Sequence, residues 1–176
     1  MRIGIGFDIH RLVEGRRLVL AGVEAPGDRG ALAHSDGDVV FHAVADAVLG
    51  AAGLGDLGDF FPETDEAWAG ADSAMILGRV VEMARRAGWA VAGADANVLL
   101  ERPKLGGLKA RMRERLAEVL GLAPDAVGLK ARTLEGLGPI GEGEAVAAQA
   151  VVLLAAAPRQ CAVRRRARTS RRIEER

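Results

Sequence analysis

Apolar residues alternate through residues 2–9, with Ile3, Ile5, Phe7 and Ile9 on one face, which predicts a β-strand whose Ile9 points into the core. A second strand is predicted from Arg17 to Val23 (RLVLAGV), after a turn at Glu14-Gly15. Pro26 to Gly30 reads as a loop by composition. From Asp38 to about Ala52 the chain is rich in Ala, Val and Leu and reads as a helix. A long acidic, glycine-bearing loop follows, over 53–71. Asp72 is a candidate N-cap for a second helix that ends near Gly88. Residues 91–101 read as a strand. Pro103 precedes a third helix that closes at Gly121, the residue type expected just past a helix end. Val127 to Thr133 and Glu144 to Ala156 are the last two predicted strands.

The predicted order is ββααβαββ. Helices and strands mix without strict βαβ alternation, which favours an α+β fold with helices packed on one face of a mixed sheet. With no internal repeat and no linker before residue 157, the chain reads as one domain, 1–157, and a tail, 158–176.

Composition sharpens this division. A chain of 176 residues with 49% hydrophobic and 27% charged residues describes one globular domain with a real core. Its 24 basic and 24 acidic residues cancel overall. The tail, however, holds eight Arg and two Glu, a net +6, which leaves −6 on residues 1–157. The tail is expected to be a disordered, solvated appendage. It contains no aromatic residue on which a base could stack, so no nucleic-acid partner is expected.

Several chemistries are excluded by inspection. The single cysteine, Cys161, supports neither a disulfide framework nor a thiolate metal cluster, and suits a reducing cytoplasm. No apolar run approaches the roughly 20 residues of a membrane span, and no signal-peptide pattern opens the chain. Lys104, Lys109 and Lys130 are not followed by Ser or Thr, so there is no P-loop. Ser35, Ser73 and Ser170 lie in no nucleophile elbow, and Gly4-Ile5-Gly6 lacks the third glycine of a dinucleotide fingerprint.

All three histidines, His10, His34 and His42, lie in the first quarter of the chain. In Asp8-Ile9-His10 the carboxylate and imidazole, two residues apart on a strand, share one face. His42 has Asp38 and Asp46 at i−4 and i+4, a polar stripe on an otherwise apolar helix. Either the stripe faces solvent, or His42 joins Asp8 and His10 in a two-histidine, one-aspartate set. Such a set leaves zinc an open fourth position, the pattern of a catalytic site. On the second reading Asp46 or Asp38 would hold the other ring nitrogen of His42. His34 and Ser35 stand just ahead of a helix N-terminus, where free N–H groups suit a phosphate or simply receive a cap.

Six motifs, in order, together with His42, resemble the 2-C-methyl-D-erythritol 2,4-cyclodiphosphate synthase family. They are G-F-D-I-H at 6–10, A-H-S-D-G-D at 33–38, L-G-D-L-G at 54–58, F-F-P-E-T-D at 60–65, R-P-K at 102–104 and K-A-x-T-x-E at 130–135. The resemblance runs from Met1 to about Leu154. It implies a ferredoxin-like α+β domain assembled as a homotrimer, with active sites between subunits, in the non-mevalonate route to isoprenoids. The implied reaction cyclises 4-diphosphocytidyl-2-C-methyl-D-erythritol 2-phosphate and releases CMP.

The resemblance also implies roles. Asp8, His10 and His42 would hold zinc or another divalent ion, with Asp8 and His10 also meeting substrate. His34 and Ser35 would contact the 2-phosphate, His34 contributing in the transition state. Glu135 would coordinate magnesium or manganese on the diphosphate, and Thr133 would offer it a hydroxyl. Asp56, Leu57 and Gly58, with Phe61, Pro62, Glu63, Thr64 and Asp65, would bind the methylerythritol. Leu100, Glu101, Arg102, Pro103, Lys104, Leu105 and Gly106 would enclose the cytidine, with Arg132 and Leu134 beside it.

Two departures stand out. Arg132 replaces a threonine common in relatives, adding charge beside the nucleotide. Pro139 and Glu142 replace an aromatic and a basic residue that in some relatives line an axial cavity for isoprenoid diphosphates. Glu142 is expected to repel such an anion. Three rival readings remain: a zinc phosphoester hydrolase, a non-catalytic cytidine-nucleotide or metal sensor, and a nucleic-acid binder resting on the tail alone.

Overall fold

A computed structural model of the chain describes residues 1–62 and 64–158. The basic tail beyond Pro158 and the expected substrate residue Glu63 lie outside the described residues.

Four strands open the fold, β1 (Arg2–Glu14), β2 (Leu18–Leu20), β3 (Val23–Ala25) and β4 (Arg29–Leu32). The helices α1 (Val39–Ala52), α2 (Leu57–Phe60) and α3 (Ser73–Arg86) follow, then β5 (Trp89–Leu99), α4 (Lys109–Leu120), β6 (Val127–Arg132), α5 (Gly138–Gly141) and β7 (Ala145–Ala156). Among the described residues, five strands form one sheet in the order β4-β1-β7-β5-β6, with only the β5–β6 pair parallel, while β2 and β3 make a separate hairpin. The architecture is therefore α+β, a mixed sheet with helices on one face.

The long elements match the sequence pattern. Asp38 caps α1 by accepting from the backbone N–H of Val40 and Phe41, and Gly53 ends it in the left-handed region at φ 72°. Asp72 caps α3 through Ala74 N–H, and Gly121 ends α4 at φ 68°. The predicted second strand is instead β2, a turn at Ala21-Gly22 and β3, and the predicted 26–30 loop already contains the start of β4. β1 runs on to Glu14, where it pairs with β4. Runs of three or four residues are too short to show a period, and pairing partners alone define them.

One expectation is reversed. Ile9 does not enter the core of the chain. Ile3, Ile5, Phe7 and Ile9 are 73%, 66%, 52% and 48% exposed, on the sheet face opposite the helices. Val151 and Leu153 of β7, paired with Ile5 and Ile3, extend this bare apolar face. The inward face of β1 carries Gly4, Gly6, Asp8 and His10. A Cβ on Gly4 would lie 2.0 Å from the carbonyl oxygen of Ala47, and one on Gly6 would lie 2.0 Å from that of Ala43. Only glycine lets the strand and α1 meet backbone to backbone at this spacing.

α1 is therefore central. It is buried on nearly all sides except at Asp46 and Gly50, as a helix apolar all round must be. It packs on β1 and β7 with α3 against its other side. Val146, Ala148, Ala150, Val152 and Leu154 of β7 point into the same core.

Candidate metal centre and substrate pocket

The glycine contact places α1 so close to β1 that the next inward residues of the strand, Asp8 and His10, meet the helix turn bearing His42. His42 Nδ1 lies 2.9 Å from Asp8 Oδ2 and 3.4 Å from His10 Nε2, and His10 Nε2 lies 3.2 Å from Asp8 Oδ2. The imidazole rings stand nearly perpendicular, at 88°. Asp8 Oδ1 accepts from the backbone N–H of Ile9 at 2.9 Å, leaving Oδ2 for the cluster. The Asp38 and His42 part of the polar stripe thus faces inward, Asp38 fully buried and His42 nearly so, while Asp46 is partly exposed.

The three donor atoms fit a divalent cation. Tetrahedral zinc with bonds of 2.0–2.1 Å keeps its ligand atoms about 3.3 Å apart, close to the separations found here. One carboxylate and two imidazoles are also the donor types such a cation takes, with a position left for another ligand.

Charge reinforces the arrangement. Burial pushes the Asp8 carboxyl up, but hydrogen bonds and charge from His10 and His42 outweigh it and hold Asp8 well below the usual carboxylate range. Burial pushes His42 down, while the hydrogen bond and charge of Asp8, with Asp38 and Asp36 behind, raise it overall. Burial pushes Asp38 up to about 6, against backbone N–H donors from Gly22, Ala21 and Phe41.

The expected supports of His42 differ from those observed. Asp38 is occupied as a cap and as acceptor from Ala21 N–H at 2.9 Å and Gly22 N–H at 2.7 Å. Asp46 accepts from Leu57 N–H at 2.8 Å and so fastens the start of α2 to α1. Neither reaches the second ring nitrogen. His42 Nε2 instead meets Ser73 Oγ at 2.9 Å and Ser35 Oγ at 3.3 Å. Ser73 was visible in the sequence only as the residue after a helix cap, and no spacing rule links it to His42.

Beside the cluster, a cavity of about 70 Å³ is lined by His34, Ser35, His42, Leu57, Phe61, Trp68 and Ile76. Trp68 and Ile76 are additions to the expected set. Trp68 stacks edge-on against Phe61 at 4.9 Å, and Arg79 lies over it at 5.0 Å. His34 Nε2 bonds the backbone oxygen of Asp65 at 3.2 Å, which ties Asp65 to the pocket rim. Asp56 caps α2 through Asp59 N–H, and Asp65 caps the following turn through Ala67 N–H, so both also have structural duties. Gly58 lies within α2; Pro62 and Thr64 belong to the segment that follows it.

The remaining expected residues form a second group at the ends of β5 and β6. Leu100 N–H donates to the Arg132 carbonyl at 2.9 Å, and the Glu101 carboxylate accepts from Leu134 N–H at 3.2 Å. Thr133 and Glu135 continue from β6, Glu135 exposed and in the left-handed region at φ 53°. Glu101, Arg102, Pro103 and Lys104 help line an open cavity of about 640 Å³, with Arg29 and Glu142. Leu105 is buried in the core and Gly106 is exposed nearby. Within one chain, no hydrogen bond or shared cavity among the described residues joins this group to the metal cluster.

Comparison with known proteins completes the picture. The YgbB family model matches residues 1–155. A curated 2-C-methyl-D-erythritol 2,4-cyclodiphosphate synthase from Salinibacter ruber is 56% identical over 157 residues, which cover 89% of this chain and 100% of that protein. A solved 2C-methyl-D-erythritol-2,4-cyclodiphosphate synthase in its CDP-bound form is 44% identical at a TM-score of 0.81, covering 88% of this chain and 100% of that one. The bifunctional IspDF from Campylobacter jejuni superposes at a TM-score of 0.85 and 40% identity over 89% of this chain, which spans 42% of that protein's length.

Proposed function

The chain belongs to the YgbB family, and from that membership we propose that it makes 2-C-methyl-D-erythritol 2,4-cyclodiphosphate and CMP from 4-diphosphocytidyl-2-C-methyl-D-erythritol 2-phosphate. It acts as a phosphorus–oxygen lyase of the non-mevalonate isoprenoid pathway. The single observation that carries this reading is the convergence of Asp8, His10 and His42, from two elements, on one cation-sized point beside a pocket.

The attacking group is the substrate's own 2-phosphate, already an anionic oxygen, so the reaction needs no strong general base. Its barrier lies in bringing two negatively charged groups together, which makes catalysis a matter of positioning and charge cancellation. When bound, a divalent cation at Asp8, His10 and His42 supplies Lewis acidity and a template for a phosphate oxygen. The Ser35 hydroxyl, beside that cluster, donates to the 2-phosphate, and His34 meets the same group from the pocket rim. Asp56 and Asp65 accept from the hydroxyls of the methylerythritol. Phe61, packed on Trp68, excludes water from the reacting atoms. Thr133 donates its hydroxyl to the diphosphate, and the exposed carboxylate of Glu135 would hold magnesium or manganese there. Residues 100–106 hold the cytidine, with Arg132 and Leu134 alongside.

The separation of the two groups within one chain supports a site shared between subunits of a homotrimer. The bare apolar face of β1 and β7 supports the same assembly, since exposed contiguous apolar surface of this kind marks an interface. Residues 1–157 carry the activity, and the basic tail is dispensable. A cytoplasmic location is part of the same proposal; among the described residues no helix is long and apolar enough to cross a membrane.

None of the relatives described above bears a hydrolase name. Incubation with the substrate and Mg²⁺, followed by phosphorus NMR, tests the proposal. A cyclic diphosphate with CMP is the expected product, and an opened monophosphate would refute it.

A further inference from the structure

We propose that Ser73, gripped by Asp36, is a positioning residue that fixes a proton on His42 Nε2 and so keeps Nδ1 directed, as a bare lone pair, at the cation position. The proposal rests on the reading of Asp8, His10 and His42 as a cation site.

Ser73 is fully buried at the first position of α3, and its Oγ lies 2.9 Å from His42 Nε2. The same Oγ hydrogen-bonds Asp36 Oδ1, while the Ser73 backbone N–H donates to Asp36 Oδ2 at 3.1 Å. Asp38 N–H also donates to Asp36 Oδ1, at 3.3 Å. A serine hydroxyl has one proton, and a carboxylate only accepts. The proton of Ser73 therefore goes to Asp36, and Oγ turns a lone pair to the imidazole. His42 Nε2 must then be the donor. Ser35 Oγ, farther from Nε2 at 3.3 Å, accepts from Gly37 N–H at 3.2 Å, and its own proton is the one that the proposed function gives to the 2-phosphate, so it too can only accept from Nε2.

The consequence lies on the other side of the ring. With Nε2 protonated, the neutral imidazole has its lone pair at Nδ1, the atom that faces Asp8 and His10. If Nε2 were bare, Nδ1 would carry the proton and the cation would lose one of three ligands. A hydrogen-bond partner on the far nitrogen is the usual means of fixing a ligand's tautomer, and it also raises the ligand's basicity. Here a carboxylate acts through a serine, so three segments meet on one ring: the loop before α1, α1 itself and the start of α3.

The test uses the full chain with nitrogen-labelled histidine, loaded with zinc. Long-range nitrogen–proton spectra report which ring nitrogen of His42 is protonated, and competition with a chelator gives the zinc affinity. Wild type is expected to show the proton on Nε2. Ser73→Ala is expected to bind zinc about tenfold or more weakly, within the range seen for such outer partners, while still melting cooperatively. Alanine suits a helix start already capped by Asp72, so folding is preserved. In Asp36→Asn the amide competes for Ser73 Oγ and frees the serine proton toward Nε2, so zinc affinity falls although Ser73 remains. Wild-type affinity in Ser73→Ala, or a proton on Nδ1 in the zinc-loaded protein, would overturn the proposal. If wild type binds no divalent cation, the cation reading fails separately. The metal-free spectrum then decides: a His42 Nε2–H present in wild type and lost from its hydrogen bond in Ser73→Ala sustains the positioning role, and no such difference overturns it.

Discussion

Gly6 and Ala43 touch backbone to backbone, since a methyl group on Gly6 would lie 2.0 Å from the Ala43 carbonyl oxygen. The contact sets the height of α1 above the sheet, and His42 stands one residue before Ala43. Gly6→Ala is therefore expected to push the helix outward. Overpacking of this kind costs about 1–3 kcal/mol. The same shift separates His42 from Asp8 and His10, so zinc content falls along with the melting temperature. A Gly6→Ala protein with normal stability and a full zinc complement would show that the contact does not set the site.

The cluster also predicts a pH dependence in protein stripped of metal. Asp8 is held below its ordinary value of 3.8, so its contribution to stability is present above that pH and is lost as the pH falls below it. His42 is raised above 6.5, so its contribution is full below that pH and is lost as the pH rises through the folded value. The stability difference between wild type and Asp8→Asn should thus be largest between about pH 4 and 6.5 and should shrink on both sides. Asp38, raised to about 6, adds a loss of stability with rising pH between about 4 and 6 that both proteins carry as background. Denaturant melts across this range check the shape, and a difference independent of pH would contradict it.

Asp46 predicts a defect in substrate binding without one in metal binding. Its carboxylate holds Leu57 N–H at 2.8 Å, at the start of the segment expected to bind the methylerythritol. Asp46→Ala should raise KM about tenfold, equivalent to the ~1.5 kcal/mol that a hydrogen bond to a charged acceptor contributes. Zinc affinity should stay near that of wild type. An unchanged KM would mean that the loop is held by other contacts.

How much of this was legible in the sequence depended on the range of each interaction. The helices α1, α3 and α4 carry their own caps, Asp38, Asp72 and Gly121, so local pattern sufficed. Asp8, His10 and His42 were found because strand and helix periods put chemistry on single faces. Ile9 was misassigned because alternation shows that two faces differ but not which one meets the helices. The glycines at 4 and 6 held that information: the face without side chains is the one a helix can approach. Ser73 and Asp36 were missed as partners of His42 because their meeting depends on how α3 returns across α1, a long-range event with no local period. The tail and Glu63 lie outside the described residues, and the expectations for them stand as proposals.

The apolar face predicts the effect of a charge placed on it. Ile5 is 66% exposed in the single chain, so Ile5→Glu leaves no internal cavity. The variant should fold, sediment as a monomer and lose nearly all turnover, because the cytidine group and the metal cluster no longer meet. Sedimentation velocity and a steady-state assay check both halves. An active monomer would remove the shared-site reading.

In the proposed reaction the attacking oxygen belongs to the substrate's own phosphate rather than to water. Turnover in water enriched in oxygen-18, with mass spectrometry of both products, tests it directly. The expected products are a cyclic diphosphate and CMP that each carry no solvent oxygen. One labelled oxygen in either product at the moment of its formation would show that water attacks and would rule out intramolecular cyclisation.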